Sequence, residues 1–206
     1  TGLITGIIYD DQDNQFYNSL AGFGAASGLY HKRRLVPFGE YVPLESWLRG
    51  LITFFDLPTS YINVGPEGQR GLLAQKVSIA PSICYEVVYP ILVAEAARQA
   101  NVLLTVSNDA WFADSIGPLQ HLQMAQMRAL ETGRYLVRST NNGVSAIVDH
   151  RGRLVERSEQ FVATTLSGVV YPAYGHTPFM RAGHWPVLLL ALASVLGVLA
   201  ARRRFS

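Results

Sequence analysis

Cys84 is the only cysteine in the 206 residues, and it stands near the end of VSIAPSICYE (77–86), where a strand-like run gives way to a helix start at Tyr89 and Pro90. A thiol attacks carbon only as thiolate, so a nucleophilic Cys84 needs a cation close by and a group that takes its proton. Lys32 in KRRLVPFGE, Glu40 at the end of that motif, Glu86 two residues past the thiol, and the NDAWF cluster at 108–112 are the candidates. Period-two alternation puts Val77, Ile79 and Ile83 on one face of the strand. Ser78, Ala80, Ser82 and Cys84 fall on the other, a face of small residues that a substrate could reach. A strand-to-helix corner is a common seat for a nucleophile because it lifts a side chain clear of the sheet edge. The competing reading of a lone cysteine is an inert, packed thiol.

The elements that must position these groups follow from the pattern along the chain. Residues 1–9 are apolar and β-branched, a polar turn fills 10–15, and 16–21 reads as a partner strand. A glycine-rich stretch (22–28) precedes the segment carrying Lys32, Arg33 and Arg34, of which period two lets only some face water; PFGE at 37–40 is a turn. Residues 43–57 place Leu44, Trp47, Leu48, Leu51, Ile52, Phe54 and Phe55 at helical spacing, more large apolar groups than one buried stripe needs. This suits a core helix, or an amphipathic arm at a membrane interface or over a greasy substrate, with Trp47 near the headgroup level. Residues 101–107 read as a central strand, 117–130 as a helix opened by Gly117 and Pro118 and closed by Gly133, and 134–139, 144–149 and 153–155 as strands. Strands alternating with helices, with hairpins at both ends, define a layered α/β domain with a mixed sheet.

Composition narrows the partners. A net charge of +2 without a basic stripe excludes a nucleic-acid reader. His31, His121, His150, His176 and His184 lack metal-ligand spacing, so neither a metal nor another cofactor is implied. The chain is 49% apolar and 16% charged, and 185–201 runs 17 residues without a charge before Arg202, Arg203 and Arg204. At about 1.5 Å per residue this is roughly 25 Å, enough to cross a bilayer with Trp185 and the arginines as anchors. The positive-inside rule puts the C-terminus in the cytoplasm and the α/β domain on the other side.

KRRLVPFGE with Lys32, ICYE with Cys84, SNDAWF (107–112) and RALETGRYLVRSTNNGVSA (128–146), in that order, resemble the carbon-nitrogen hydrolase (nitrilase) superfamily over about residues 1–168. VPFGEYVPLE, the apolar arm and the terminal helix are similar, within it, to the N-acyltransferases that act on apolipoproteins. The resemblance implies an α-β-β-α sandwich over 1–172, a linker at 173–184, a transmembrane helix at 185–201 and a cytoplasmic tail at 202–206. It implies Cys84 as nucleophile, Lys32 as the group that stabilises the oxyanion, Glu40 as its brace, Glu86 as a further acid in the pocket, and Tyr85, Trp111 and Phe112 near the substrate. The superfamily's general-base glutamate lies on an earlier strand. None of the 31 residues before Lys32 is a glutamate, so the chain reads as the C-terminal part of such an enzyme, inactive alone.

The implied reaction is transfer of an acyl chain from a glycerophospholipid, phosphatidylethanolamine by the resemblance, through a Cys84 thioester to the N-terminal amine of a diacylglyceryl-cysteine. That is the last step of lipoprotein maturation, at the outer side of a bacterial inner membrane. A transferase must exclude water until the amine arrives, which makes 44–55 a candidate lid. The alternatives are an amidase that hydrolyses a C–N bond, against which the terminal helix and arm argue, and a non-catalytic membrane-attached domain.

Overall fold

The structure is a computed structural model that describes residues 1–13, 15–41 and 62–204. The two apolar runs at the start form β1 (Gly2–Asp10) and β2 (Phe16–Gly24), antiparallel from Gly2 opposite Gly24 to Asp10 opposite Phe16. The glycine-rich stretch is not a simple loop. It extends β2, turns at Gly24 and supplies β3 (Ala26–Ser27) before β4 (Leu29–His31), which returns to pair with β2. Gly28, at φ +108 and against Leu72, makes this switch in a conformation that side chains rarely adopt. β1, β2 and β4 form a three-stranded sheet, while β3 joins the edge of a second, larger one.

That second sheet has seven strands: β3 together with β5 (Leu72–Ala74), β6 (Val77–Ile83), β7 (Val102–Asn108), β8 (Leu136–Asn141), β9 (Ala146–Val148) and β10 (Leu154–Arg157), in the order β10-β9-β8-β7-β6-β5-β3. Its centre, β6, β7 and β8, is parallel, and the outer pairings are antiparallel. Parallel neighbours require crossovers. These are α1 (Pro90–Ala97), with proline in its first turn, and α2 (Gly117–Thr132), closed by Gly133 at φ +63. The sequence reading placed both; α2 runs one half-turn further than expected.

Each face of the large sheet has its own core. On one, Ala80, Leu103, Leu136 and Val148 pack against Val93, Ala94 and Ala97 of α1 and Leu122, Ala125 and Ala129 of α2. The many alanines let the helices approach closely. On the other, Ile83 and Leu72 meet Leu20 and Tyr30 of the small sheet, with Ile79, Leu104 and Val106 beside them. Among the described residues the layers are therefore helix, sheet and sheet; the outer helices of the expected sandwich are not among them. After α3 (Pro178–Ala182) the chain forms α4 (Trp185–Arg204). Its segment Trp185–Arg202, of mean hydropathy 1.9, is exposed along its length and is long and apolar enough to cross a membrane. The apolar arm with Trp47 lies outside the described residues.

Candidate active site

The parallel strands β6 and β7 both end at the same edge of the large sheet, the usual place for a ligand in such a sheet. β6 stops at Ile83, and Cys84 opens a 3-10 turn, Cys84–Val88, with φ +51. This changes the face expected for the thiol. The small residues Ala80 and Ser82 are buried, Ala80 against the helices. Cys84 instead joins Val77, Ile79 and Ile83 on the wall of a cavity of about 1480 Å³ between the two sheets. The reason is backbone conformation: a left-handed residue breaks period two. For a residue with a Cβ it costs about 1–2 kcal/mol, held by the surrounding structure.

Lys32 and Glu40 reach the same cavity from the small sheet's side. The chain leaves β4 at His31, so Lys32 does not continue the strand; of the three cations it alone is buried, at 1% exposure. Its Nζ donates to Glu40 Oε1 at 2.7 Å and Oε2 at 2.6 Å. Glu40 also accepts from Asn18 Nδ2 and from the Val36 N–H at 2.8 Å. A buried ammonium is thus fixed by a braced carboxylate, with its backbone tied to Asn18 and Gly65. Tyr85, Trp111 and Phe112 also line the cavity. Trp111 is the most open of the aromatics there, at 79% exposure, and Phe112 packs beside His121 with ring centroids 6.2 Å apart.

Glu86 is placed differently from the expectation. It is fully buried and not on the cavity wall. Its Oε1 accepts from the Tyr30 hydroxyl at 2.9 Å and from the N–H groups of Arg33 at 2.6 Å and Arg34 at 3.2 Å, and its Oε2 accepts from the Ile83 N–H at 2.8 Å. Burial pushes this carboxyl above its ordinary value, and the N–H groups of Ile83, Arg33 and Arg34 with the Tyr30 hydroxyl draw it part of the way back. The carboxyl staples the segment that carries Lys32 to the turn that carries Cys84. Glu86→Gln offers one accepting oxygen where these donors now share two. We expect a stability loss of about 1–3 kcal/mol, read by urea unfolding. Unchanged stability would remove the staple.

Sequence reasoning missed the group behind the thiol. Asp109, His121 and Arg138 are buried together, at 1%, 5% and 2% exposure. Asp109 Oδ1 accepts from the Ser107 hydroxyl at 2.6 Å and lies 3.0 Å from His121 Nδ1; Asp109 Oδ2 accepts from Arg138 Nη2 at 2.6 Å. Burial raises the Asp109 carboxyl, but the His121 hydrogen bond, the Arg138 charge and the Ser107 hydroxyl together hold it below the ordinary carboxylate value. A side chain at Gly143 would collide with Asp109, so the NNG turn is shaped by this ion pair. His121 was set aside for lacking metal-ligand spacing, and no cluster of three or more potential ligands occurs among the described residues. The signal available was a polar trio at facing strand and helix ends, which no local spacing marks.

A cysteine on a strained corner, a buried lysine clamped by a carboxylate, and aromatic walls between two sheets define an arrangement suited to nucleophilic attack on a carbonyl. The chain belongs to the carbon-nitrogen hydrolase family, which matches residues 1–174. Its curated relatives carry a more particular name, apolipoprotein N-acyltransferase. The protein of Pseudomonas paraeruginosa is 53% identical over 94% of this chain and 38% of its own length. That of Azotobacter vinelandii is 55% identical over 92% and 37%, and that of Vibrio parahaemolyticus 41% over 95% and 41%. The chain thus spans about two-fifths of the length of these relatives. Among solved structures, a carbon-nitrogen hydrolase from Helicobacter pylori has the same fold, with a TM-score of 0.60 at 15% identity over 77% of this chain and 57% of that one. So does an amidase from a Nesterenkonia species, with a TM-score of 0.54 at 19% identity over 76% and 56%, described as carrying the acetamide moiety of fluoroacetamide on its active-site cysteine.

Proposed function

We propose that this chain carries the nucleophile of a membrane N-acyltransferase that acylates the N-terminal amine of diacylated apolipoproteins, with a glycerophospholipid, phosphatidylethanolamine first among them, as donor. The observation that carries the reading is the common cavity of Cys84, Lys32 and Glu40 in a chain whose relatives bear that activity's name. The Cys84 thiolate attacks the ester carbonyl. The S–C bond forms, the ester C–O bond breaks, and the lysophospholipid leaves as its alcohol with a proton from the protein. The α-amine of the diacylglyceryl-cysteine then attacks the thioester carbonyl, the amide forms and the thiol is regenerated. Each step passes through an oxyanion, for which the Lys32 ammonium in the same cavity wall is the candidate partner. Glu40 holds that ammonium in place through both carboxylate oxygens, and Tyr85, Trp111 and Phe112 offer the acyl chain apolar surface.

This chain spans 38% of the length of its Pseudomonas paraeruginosa relative, and in this reading the group that takes the thiol's proton belongs to the part of such an enzyme that the chain does not span. The Trp185–Arg202 segment crosses the inner membrane with Arg202, Arg203 and Arg204 at its cytoplasmic end, and the cavity opens on the periplasmic side, where both lipid substrates are within reach.

The test is intact-protein mass spectrometry of the parent protein in detergent with phosphatidylethanolamine and no acceptor, beside Cys84→Ala. A hydroxylamine-labile gain of one acyl chain is expected in the parent and absent from the variant. No adduct on folded, lipid-loaded protein, together with ammonia release from simple amides, would transfer the reading to an amidase. Neither adduct nor ammonia would leave a non-catalytic domain.

A further inference from the structure

We propose that His121 is a positioning residue for Cys84: its Nε2–H holds the Cys84 carbonyl oxygen and so fixes the strained corner on which the sulfur stands. The inference rests on the proposed nucleophilic role of Cys84 and adds what sets the orientation of that nucleophile.

His121 Nε2 lies 3.1 Å from the Cys84 carbonyl oxygen. A carbonyl only accepts, so Nε2 must carry the proton in either charge state of the ring. The other ring nitrogen faces Asp109 Oδ1 at 3.0 Å and Arg138 Nη2 at 3.1 Å; it donates to the carboxylate when protonated and accepts from the guanidinium when not, so one or the other holds the imidazole plane in either state. Asp109 is in turn fixed by the Ser107 hydroxyl at the end of β7, and Arg138 by the Val144 carbonyl beyond β8. Three elements of the large sheet's edge thus converge, through one ring on α2, on a single peptide oxygen.

That oxygen matters because Cys84 sits at φ +51, in the left-handed region that a residue with a Cβ seldom adopts. The Ser82–Ile83 peptide, one before the peptide that leads into Cys84, is held by Glu86 Oε2 through the Ile83 N–H, and the peptide after the thiol is held by His121. With the chain held by Glu86 on the upstream side and by His121 directly after it, the Cα–Cβ bond of Cys84 is aimed into the cavity that Lys32 also lines. Without the second clamp the corner relaxes toward ordinary backbone, and the sulfur turns away from the attack geometry. Misplacement by about 1 Å is enough to cost about 10²-fold in rate.

The parent protein is compared in detergent with His121→Gln, which keeps a donor at the position of Nε2, and His121→Met, of similar length but without a donor. Cys84 acylation is followed with phosphatidylethanolamine by mass, and with p-nitrophenyl butyrate by release of p-nitrophenolate. Iodoacetamide alkylation of the same thiol reads its accessibility and ionisation without demanding the attack geometry. We expect His121→Met to acylate about 10²-fold more slowly with either donor while alkylation stays within threefold, and His121→Gln to recover to within fivefold of the parent. Acylation of His121→Met within threefold of the parent overturns the proposal, as does a loss in His121→Gln as deep as in His121→Met, folded or not, since the donor is retained there. A parent that takes the butyryl group but nothing from the phospholipid removes the acyltransferase reading and leaves His121 to be judged on the ester. A parent acylated by neither overturns both.

Discussion

Lys32→Met is expected to slow acylation of Cys84 by phosphatidylethanolamine by about 10²–10³-fold, the cost of removing a preorganised donor from a developing oxyanion. The lysine is almost fully buried, and both oxygens of Glu40 close on its ammonium within 2.7 Å. Holding a charge in this way before the reaction starts is what makes it effective, because no reorganisation is needed at the transition state. Folding should tolerate the change. Glu40 keeps the Asn18 amide and the Val36 N–H and is 19% exposed, so water replaces the lost partner. Glu40→Gln should cost less than Lys32→Met, because it loosens the ammonium without removing it. The double variant should be no slower than Lys32→Met, since a brace with nothing to hold has no further effect. Single-turnover mass spectrometry reads all three. A Lys32→Met protein acylated within threefold of the parent, or a double variant slowed by the product of the single effects, would take Lys32 and Glu40 out of one functional unit.

Much of this site could be read from local chemistry. Proline in the first turn of α1 and glycine after α2 bounded the crossover helices, and continuous apolarity marked β7 as central. Those signals are written in neighbouring residues. The face of Cys84 could not be read in this way, because alternation holds only while the backbone stays extended, and the switch to φ +51 occurs at the residue in question. Glu86 stands beside the thiol in sequence, yet its carboxyl turns back to collect N–H groups some 50 residues away in the chain, at Arg33 and Arg34. Asp109, His121 and Arg138 lie on β7's end, α2 and β8, and only parallel pairing of those strands brings them together. Burial of charged residues is the least legible feature of a sequence, since an arginine in a strand such as β8 reads as an exposed position until its partner is known.

Asp109→Asn should be the most damaging single change to stability at this edge. Asp109 and Arg138 are both wholly enclosed in their side chains, and removing one partner of such a pair leaves the other charge in a medium that cannot solvate it, at a cost of about 3–5 kcal/mol. The pH dependence follows from the carboxyl being held below its ordinary value of 3.8. A depressed folded-state value means that the unfolded chain binds the proton first, so the stabilisation is fully present above that ordinary value and is lost as the pH falls through the lower folded one. His121, Arg138 and Ser107 are the groups facing Asp109. Urea unfolding at pH 7 and across the acid range should therefore show the parent losing stability below about pH 4, and Asp109→Asn starting lower at pH 7 with a shallower acid limb. Equal stability at pH 7 would contradict the buried pair. Asp109→Leu with Arg138→Leu separates stability from function. An apolar pair of similar volume should restore most of the stability, because buried ion pairs are costly to assemble. It should not restore acylation of Cys84, because the imidazole of His121 then has nothing to hold its plane against the Cys84 carbonyl. A double variant that recovered both would reduce the Asp109–Arg138 pair to packing and make His121's hold on the nucleophile independent of it.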